Sequence, residues 1–521
     1  MSDACKVTVR TADVVQRRFA GVGFHVSHHL HEVGREHFEH VIAKRWRELS
    51  PSFARLTHVQ GTGPEGLDTL AEHLLRMKQT GTEVYLATWD PEDVPEGPAR
   101  AAYAKRIVDQ LEYLVRERGA TNVRHYCMTN ELSLHGWADM LDDMPKFRDY
   151  HRCLFDELEA RKLDVQLLAS DASPIEHWDT IEWAAQHMDD VTAIYGGHHY
   201  VNSFALEDPE FYPWFLSKLR WGSGIARSRG KDFILGEFGC KQDGSVRDGV
   251  KMDVCIYFGT PQEPMVGVQM AEAVIAALNA GICALGNWTF TDYPDEYRAD
   301  YVNKWGTFRW IGDDYSTRAH YYAYGLLTRF FRGPATVFGV DTGDPLVRAA
   351  AVRHHEGGTW SIVLLNRRQD DVGIELCIDD GVPDAPFRKY VYDPQAVPFH
   401  PFGDLQQPEA RLALENGRLR DELPAGTLVV YTTSYHEQAP CPVRGLTVEA
   451  DAEGGNLLTW QANPEPDLCY YRIHRSAEPG LTPSVTNQIG TTVATDFADR
   501  QPPQCQYKVV AVDSSGNASR A

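Results

Sequence analysis

Short apolar runs alternate with longer amphipathic stretches over residues 20 to about 330, and this repeat constrains the fold more than any other feature of the chain. Compact apolar runs are typical of strands, whereas apolar residues three and four apart are typical of helices. Eight strands are predicted, at Phe19–Val26, Phe53–Gln60, Glu83–Trp89, Val123–Thr129, Val165–Ser170, Ala193–Tyr200, Phe233–Phe238 and Ala284–Phe290. Helical patterns lie between them, among them Gly66–Lys78, Ala101–Arg118, Phe147–Arg161 and Gln269–Ala280. Eight such units in about 300 residues predict an α/β fold, a closed (β/α)8 barrel over residues 13–332.

An open, doubly wound parallel sheet is the alternative to the barrel. That fold carries a glycine-rich phosphate-binding turn after its first strand. Gly21 and Gly23, separated by one valine, match too little of that signature to favour it.

The second half of the chain has a different pattern. From about residue 335 short alternating strands such as Trp360–Leu365 are separated by turn residues, which predicts an antiparallel β-sandwich over residues 333–435. Residues 5–12 could add a strand to this sandwich, because a closed barrel has no edge that would accept one. A linker is expected from His436, followed by a third unit over residues 442–521.

Charge and composition limit the partners of the protein. With 51 Lys and Arg against 73 Asp and Glu, the formal net charge is −22 at pH 7, so neither nucleic acid nor a membrane surface is expected to bind. The N-terminus lacks the basic start and apolar run of a secretion signal. The expected location is the cytoplasm, or the exterior if a signal peptide has been removed. The ten cysteines are scattered singly and are expected to be reduced thiols. The oligomeric state is left open.

Two of the predicted strands end at a glutamate. One run leads to Thr129-Asn130-Glu131, and the other reads Phe-Ile-Leu-Gly-Glu237-Phe. Barrel enzymes build their active sites at the carboxyl ends of the strands, so the two side chains are expected to face each other. Such a pair can cleave a glycosidic bond, one group protonating the leaving oxygen and the other attacking the anomeric carbon. Taken singly, each glutamate could also be a polar strand end that caps the following helix.

On strands four and seven, these motifs resemble the acid/base and the nucleophile of clan A retaining glycoside hydrolases. The order of other residues agrees with that clan: Arg55 on the second strand, His198 and Tyr200 on the sixth, and Trp288 on the eighth. With the sandwich that follows, the chain is most similar to glycoside hydrolase family 39, with families 30 and 51 as alternatives. Leu132 departs from the family, which usually continues its Asn-Glu pair with proline.

The resemblance implies a role for each residue. Glu237 would be the nucleophile, and donors from Arg55 and Tyr200 would lower its pKa and orient it. Glu131 would be the acid/base, kept protonated in a drier place. Asn130 would bind the sugar 2-hydroxyl, and retention of configuration predicts carboxyl groups about 5–5.5 Å apart.

Other candidates concern substrate contact. Trp288 is expected to form the floor of the sugar subsite, and a position in the core is the alternative. The resemblance implies a cis peptide bond after Trp288. His198 would complete the wall of the site at strand six.

Four histidines lie close together at and after the end of the first strand: His25, His28, His29 and His31. The sequence around them offers no carboxylate or cysteine at ligand spacing, so no metal is expected. Hydroxyl recognition by His25 and by His28 or His29 is the expected role, and an ordinary loop position is the alternative. His58 and Asp90, near the ends of strands two and three, are weaker candidates.

The last unit resembles a fibronectin type III domain. Leu457–Trp460, Tyr470–Arg475 and Tyr507–Asn517 match strands B, C and F of such domains and the turn after F. The resemblance implies a spacer or a binding module.

These observations predict a retaining O-glycosyl hydrolase that needs no cofactor and acts from the chain end on β-linked oligosaccharides. Fibronectin modules are common in secreted polysaccharide-degrading enzymes, so an endo-acting hydrolase with an open cleft is the alternative. A non-catalytic carbohydrate-binding barrel is a further alternative, but binding alone would not require both glutamates.

Overall fold

A computed structural model describes residues 4–27, 30, 33–58, 63–88, 97, 99–132, 138–202, 210–241, 246–247, 250–251, 263–295, 300–381, 383, 385–450, 454–500 and 505–521. The candidates His28, His29 and Asp90, and the neighbouring His31, lie outside these residues. Within the described part of the chain, none of the helices has the length and apolar character required to cross a membrane.

Eight parallel strands form the first unit. They are β1 (Cys5–Val26), β2 (Phe53–His58), β3 (Glu83–Thr88), β4 (Val123–Cys127), β5 (Gln166–Ala172), β6 (Ile194–Asn202), β7 (Phe233–Lys241) and β8 (Ala284–Asn287). Each strand pairs in parallel with the next along the chain. β8 also pairs with β1, from Gly21↔Ala284 to Phe24↔Asn287, and this pairing closes the ring. The predicted barrel is therefore confirmed, and the open-sheet alternative is wrong.

In the described part of the chain, eight α-helices of seven or more residues alternate with these strands or follow the last one. They are α1 (Ala43–Leu49), α2 (Pro64–Gln79), α3 (Ala99–Glu112), α4 (Met144–Arg161), α5 (Asp179–His187), α6 (Phe211–Ser228), α7 (Met265–Ala280) and α8 (Ala319–Phe330). Local sequence accounts for several of their ends. Pro64 occupies the first turn of α2, where its missing N–H costs nothing, and Gly281 ends α7 at φ +79°.

Helix α7 is apolar on every side, and it is buried on every side. Its inner face packs on the barrel, and its outer face is covered by the second unit. Asn279 donates to the carbonyl of Ala349 at 2.9 Å, and Glu272 pairs with Arg348 at 3.2 Å. The second unit therefore supplies part of the outer layer of the barrel.

That unit is a β-sandwich whose strands are β9 (Arg332–Thr342), β10 (Val347–His354), β11 (Trp360–Asn366), β12 (Val372–Ile378), β13 (Phe387–Tyr392), β14 (Ala410–Leu412), β15 (Arg418–Leu423) and β16 (Leu428–Thr432). One path runs β1-β9-β10-β11-β16-β13-β14, and β12 pairs with β1 and β15. Its core includes Val7, Val9, Trp360 and Leu376.

Strand β1 is shared by the barrel and the sandwich. Gly21–Val26 pair with the barrel strands β8 and β2, whereas Cys5–Val9 pair in parallel with Ile374–Ile378 of the sandwich. The sequence predicted a barrel strand from Phe19 and a possible separate strand at residues 5–12, but not one continuous strand. Register shifts against β9 between Arg10 and Gly21 interrupt the two-residue alternation, which explains why the continuous strand was not predicted.

The last unit consists of β17 (Arg444–Ala450), β18 (Asn456–Gln461), β19 (Leu468–Ser476), β20 (Gln488–Thr492), β21 (Asp496–Asp499) and β22 (Gln506–Asp513). They form two antiparallel three-stranded sheets, in the orders β17-β18-β21 and β20-β19-β22. Trp460 and Tyr471 pack between them with ring centroids 5.3 Å apart. The chain after β20 contacts the barrel, since Val493 N donates to the carbonyl of Glu39 at 3.2 Å.

Candidate active site

Glu131 and Glu237 lie at the carboxyl end of the barrel. Glu237 is in β7, and Glu131 follows β4 with φ +49°, a left-handed conformation that is uncommon for a side-chain-bearing residue and concentrates at functional sites. One carboxylate oxygen of each lies within 4.8 Å of the other. Their side chains are 11% and 3% exposed, so both are largely withdrawn from water. The predicted pair is thus brought together.

Two donors hold the Glu237 carboxylate. Tyr200 Oη donates to Oε2 at 2.8 Å, and Arg55 Nη1 donates to Oε1. His198 Nδ1 is 3.7 Å from Oε2 of Glu237 and 3.4 Å from Oε1 of Glu131, so the imidazole ring contacts both glutamates. Donors on both oxygens fix the direction in which the carboxylate points.

Arg55 is the centre of the network below the glutamates. It is fully buried on β2, and its Nη2 donates to Asn130 Oδ1 at 2.6 Å and lies 3.0 Å from Asp171 Oδ2. Its Nη1 also donates to His25 Nδ1 at 3.1 Å. A planar guanidinium with five fixed donors suits such a junction, because it can hold several acceptors at set angles.

Asp171 was not predicted from the sequence. It lies on β5 at φ +60° and is fully buried. Tyr85 donates to its Oδ1 at 2.6 Å, and His198 Nε2 lies 2.9 Å from the same oxygen. The Asp171 carboxylate therefore links Tyr85 of β3 and His198 of β6 to Arg55 of β2.

Burial and charge compete at each ionisable group in this network. Burial alone would raise the pKa of Asp171 and lower that of His198. The ion pairs reverse both effects: His198 and Arg55 hold the pKa of Asp171 well below its usual range, and the charges of Asp171 and Glu237 raise the pKa of His198 to about 10. His198 is therefore an imidazolium at neutral pH.

The expectation of a lowered pKa for Glu237 is wrong. Burial raises the pKa of this carboxyl, and the nearby charges of His198 and Arg55 with the hydrogen bond from Tyr200 offset only part of the increase, while Glu131 adds to it. Removal of the carboxylate from water outweighs its donors, so Glu237 ionises at a higher pH than an ordinary glutamate.

Two tryptophan rings pack against residues of the network around the glutamates. Trp288 is 7% exposed, its ring centroid is 4.2 Å from that of His25, and the Trp288–Thr289 peptide is cis, as the resemblance implies. Trp305, which the sequence analysis did not single out, packs its ring 5.7 Å from that of Tyr200. Thr289 N donates to the carbonyl of Trp305 at 3.2 Å, which ties the two tryptophan segments together.

Most of the residues predicted for the site converge on it. His25, Arg55, Asn130, Glu131, His198, Tyr200, Glu237 and Trp288 all lie at this end of the barrel. His58 is the last residue of β2, and His28 lies outside the described residues. The residues missed are Tyr85, Asp171 and Trp305.

Glu131, His198 and Glu237 also have the composition of a metal site, with one ligand atom from each within 4.8 Å of the others. A histidine ligand must be neutral, because an imidazolium has a proton on both ring nitrogens. The charges of Asp171 and Glu237, which raise the pKa of His198, oppose this state.

No protein-family model and no curated protein matches the sequence. Solved structures do match the fold. The bacterial orthologue of human α-L-iduronidase is 15% identical, with a TM-score of 0.60 over 100% of this chain and 99% of its own. A glycoside hydrolase family 30 subfamily 8 xylanase from Clostridium acetobutylicum is 14% identical, with a TM-score of 0.55 over 82% of this chain and 99% of its own. The family 30 xylanase C of Talaromyces cellulolyticus is 13% identical, with a TM-score of 0.57 over 82% and 99%. At these identities the similarity establishes a shared barrel fold.

Proposed function

We propose that the protein is a retaining O-glycosyl hydrolase in which Glu237 is the nucleophile and Glu131 the acid/base. The observation that carries this proposal is the facing pair of buried carboxylates, with oxygens within 4.8 Å of each other. Retaining glycosidases place these groups about 5–5.5 Å apart, whereas inverting enzymes need about 6.5–9.5 Å to admit a water. The similarity in fold to glycoside hydrolases supports the same conclusion.

In the first step, the Glu237 carboxylate attacks the anomeric carbon while the glycosidic C–O bond breaks. Glu131 gives its proton to the leaving oxygen, so the leaving group departs as an alcohol. Arg55 donates to Oδ1 of Asn130, so the side-chain nitrogen of Asn130 is not used in this contact. We expect that nitrogen to donate to the sugar 2-hydroxyl.

In the second step, a water attacks the anomeric carbon of the glycosyl-enzyme. The Glu131 carboxylate takes a proton from this water, and the bond to Glu237 breaks to restore its carboxylate. Each glutamate thus returns to its starting state, and no metal or cofactor takes part in this scheme.

The substrate is proposed to be a β-linked oligosaccharide cleaved from its end. Endo cleavage is the second candidate, favoured by the fold similarity to xylanases, one of which is described as a GH30 endoxylanase from Clostridium papyrosolvens. The proposal also includes the assignment to family 39 and the unit boundaries given above. It further includes a fibronectin type III-like role, as a spacer or binding module, for residues 442–521.

A substrate panel tests the proposal. It contains 4-nitrophenyl β-D-xyloside and β-D-glucoside, 4-methylumbelliferyl α-L-iduronide, xylan and β-1,6-glucan, with anomeric products followed by NMR. We expect turnover of at least one member with retained configuration, and a loss of kcat of about 10⁴-fold or more in Glu237→Gln. Inverted products or full activity in Glu237→Gln would contradict the mechanism. Binding without turnover would favour the non-catalytic carbohydrate-binding barrel.

Glu131→Ala separates the two glutamates. Without the acid, we expect kcat to fall about 10²–10⁴-fold on natural linkages. A 4-nitrophenyl glycoside needs little protonation, so its first step should be affected far less and its glycosyl-enzyme should accumulate as a burst. Added azide should then restore turnover and give a glycosyl azide, which Glu237→Gln should not do.

A further inference from the structure

The Asp171 carboxylate contacts side chains from three other barrel strands. Its Oδ1 accepts from Tyr85 of β3 at 2.6 Å and lies 2.9 Å from His198 Nε2 of β6, while its Oδ2 lies 3.0 Å from Arg55 Nη2 of β2. The side chain is fully buried, and its backbone has φ +60°. A carboxylate is costly to bury, and this one has its charge balanced by two cations.

Both cations also contact the candidate catalytic glutamates. Arg55 donates to Glu237, and the far nitrogen of the His198 ring lies 3.4 Å from Glu131 and 3.7 Å from Glu237. Asp171 is thus separated from each glutamate by one side chain.

The charge state of His198 depends on these carboxylates. The ionisable groups around it are the carboxyls of Asp171, Glu131 and Glu237 and the guanidinium of Arg55. Tyr85, Cys127 and Tyr200 face the same network, and burial keeps the pKa of each of them above its ordinary value. Burial and Arg55 favour a neutral imidazole, whereas Asp171 makes the shortest contact with the ring and favours the charged form.

We infer that Asp171 is a positioning residue: it keeps His198 charged and holds His198 and Arg55 where they orient Glu131 and Glu237. This inference deepens the proposed function, on which its kinetic test rests. A separate structural test, the charge of His198, does not need any substrate.

The structural test is ¹⁵N NMR of the histidine side chains, with the His198 signal assigned by its loss in His198→Asn. In the wild-type protein we expect an imidazolium from pH 6 to about pH 9. Asp171→Asn keeps the shape of the side chain. In this variant we expect the His198 ring to lose its proton at a pH about two units or more below that in the wild-type protein. A neutral His198 in the wild type at pH 7, or an unchanged titration in Asp171→Asn, would overturn the inference.

The kinetic test uses the 4-nitrophenyl glycoside with the fastest wild-type turnover. We expect kcat to fall about 100-fold in Asp171→Asn, with KM changed less than about threefold, because small displacements of catalytic groups affect the transition state more than binding. Above the pH at which His198 loses its proton in Asp171→Asn, kcat/KM should fall below the wild-type value by a larger factor than at pH 6, because both glutamates then lose the imidazolium charge beside them.

Asp404→Asn is the matched control. Asp404 is also a buried carboxylate between two cations, with Lys44 Nζ at 2.6 Å and Arg472 at 2.9 Å, but it lies away from the glutamates. We expect it to lower the melting temperature and leave the pH profile in place. If Asp171→Asn and Asp404→Asn had the same pH profile of kcat/KM, Asp171 would only stabilise the fold, and the inference would be wrong. If Asp171→Asn does not fold, the wild-type NMR titration still decides the inference, and if no glycoside is cleaved, the proposed function fails while the NMR result stands.

Discussion

At the scale of single residues, burial and charge act in opposite directions on the candidate nucleophile. Glu237 is surrounded by donors, yet its pKa is raised because nearly all of its side chain is withdrawn from water. A carboxylate that is poorly solvated is also a better nucleophile, since less hydration must be removed when it attacks.

This balance predicts the acid limb of the pH profile. Glu237 must be ionised to attack, so kcat/KM should fall with decreasing pH through a pKa above the ordinary glutamate value of 4.5. Tyr200→Phe removes a donor to the charged form and should move the limb up by about one pH unit. Initial rates between pH 3 and pH 8 measure both effects. A wild-type limb below pH 4 would contradict the expected dominance of burial.

At the residue scale, Arg55 was found through the family resemblance, which places an arginine on the second strand. Asp171 also interrupts an apolar strand, in the run Leu167–Ala172, and a search for such ionisable residues would have found it. The direction of the Glu237 pKa could not be read from the sequence, because it depends on how completely the folded barrel excludes water. Trp305 lies in a segment without strand or helix periodicity, and its place beside Tyr200 depends on the loop path.

At the scale of elements, the last unit supports the segment that follows β1. Thr491 Oγ1 donates to the carbonyl of His40 at 2.8 Å, and Phe497 stacks on the His40 ring with centroids 4.7 Å apart. Arg35 pairs with Asp496 at 3.0 Å. These contacts hold the helical segment after β1 against the last unit.

Thr491→Val tests this contact. The substitution keeps the size and shape of the side chain and leaves the His40 carbonyl without its donor, so we expect a loss of about 1–2 kcal/mol in the free energy of unfolding. Urea unfolding measures it. Thr459→Val, at an exposed threonine of the same unit, should change stability by less than about 0.5 kcal/mol. Equal losses in the two variants would show that the contact contributes little.

Elements with a clear period were predicted well, and interrupted ones were not. Gly66–Lys78 was predicted as a helix, and α2 runs from Pro64 to Gln79. The helix predicted for Ala101–Arg118 is an α-helix to Glu112 that continues as a π-helix over Tyr113–Glu117, a change of hydrogen bonding that side-chain periodicity barely registers.

At the scale of the whole molecule, a buried ion network joins the three units. Lys44 of the barrel contacts Glu48 at 2.7 Å and Asp404 of the sandwich at 2.6 Å, and Asp404 contacts Arg472 of the last unit at 2.9 Å. Lys44 Nζ also lies 4.5 Å from the ring centroid of Tyr470. Neighbours so far apart in the sequence have no local signature, so this junction was not predicted.

Asp404→Asn removes one of the two carboxylates that contact the buried Lys44 and also the carboxylate that contacts Arg472, and we expect it to cost about 3–5 kcal/mol. Burial alone would raise the pKa of Asp404, but Lys44 and Arg472 hold it well below its usual range. A carboxyl group whose pKa is lower in the folded than in the unfolded protein stabilises the fold at pH values above its unfolded pKa of about 3.9. This stabilisation is lost as the pH falls towards the folded pKa. The difference between wild type and variant should therefore be full at pH 7 and narrow steadily from about pH 5 to about pH 2.

Chemical unfolding across this pH range measures the effect. Asp149→Asn is the control, because Asp149 also contacts two arginines, at 3.2 and 3.4 Å, but is 49% exposed. Its effect should stay below about 1 kcal/mol at every pH. A difference for Asp404→Asn that does not vary with pH would contradict the proposed ionisation.

The shared strand β1 has a consequence for how the chain is made. Residues 5–9 are synthesised long before residues 374–378, their partners in the sandwich, and before residues 284–287, through which the barrel ring closes. The Cys5–Val9 part of β1 therefore waits for these sandwich partners, and until then its backbone is an edge that other chains can join. We expect a fragment ending at residue 331 to aggregate in light scattering, whereas one ending at residue 435 stays dispersed. This outcome would show that the solubility of the barrel depends on a segment that is translated after it.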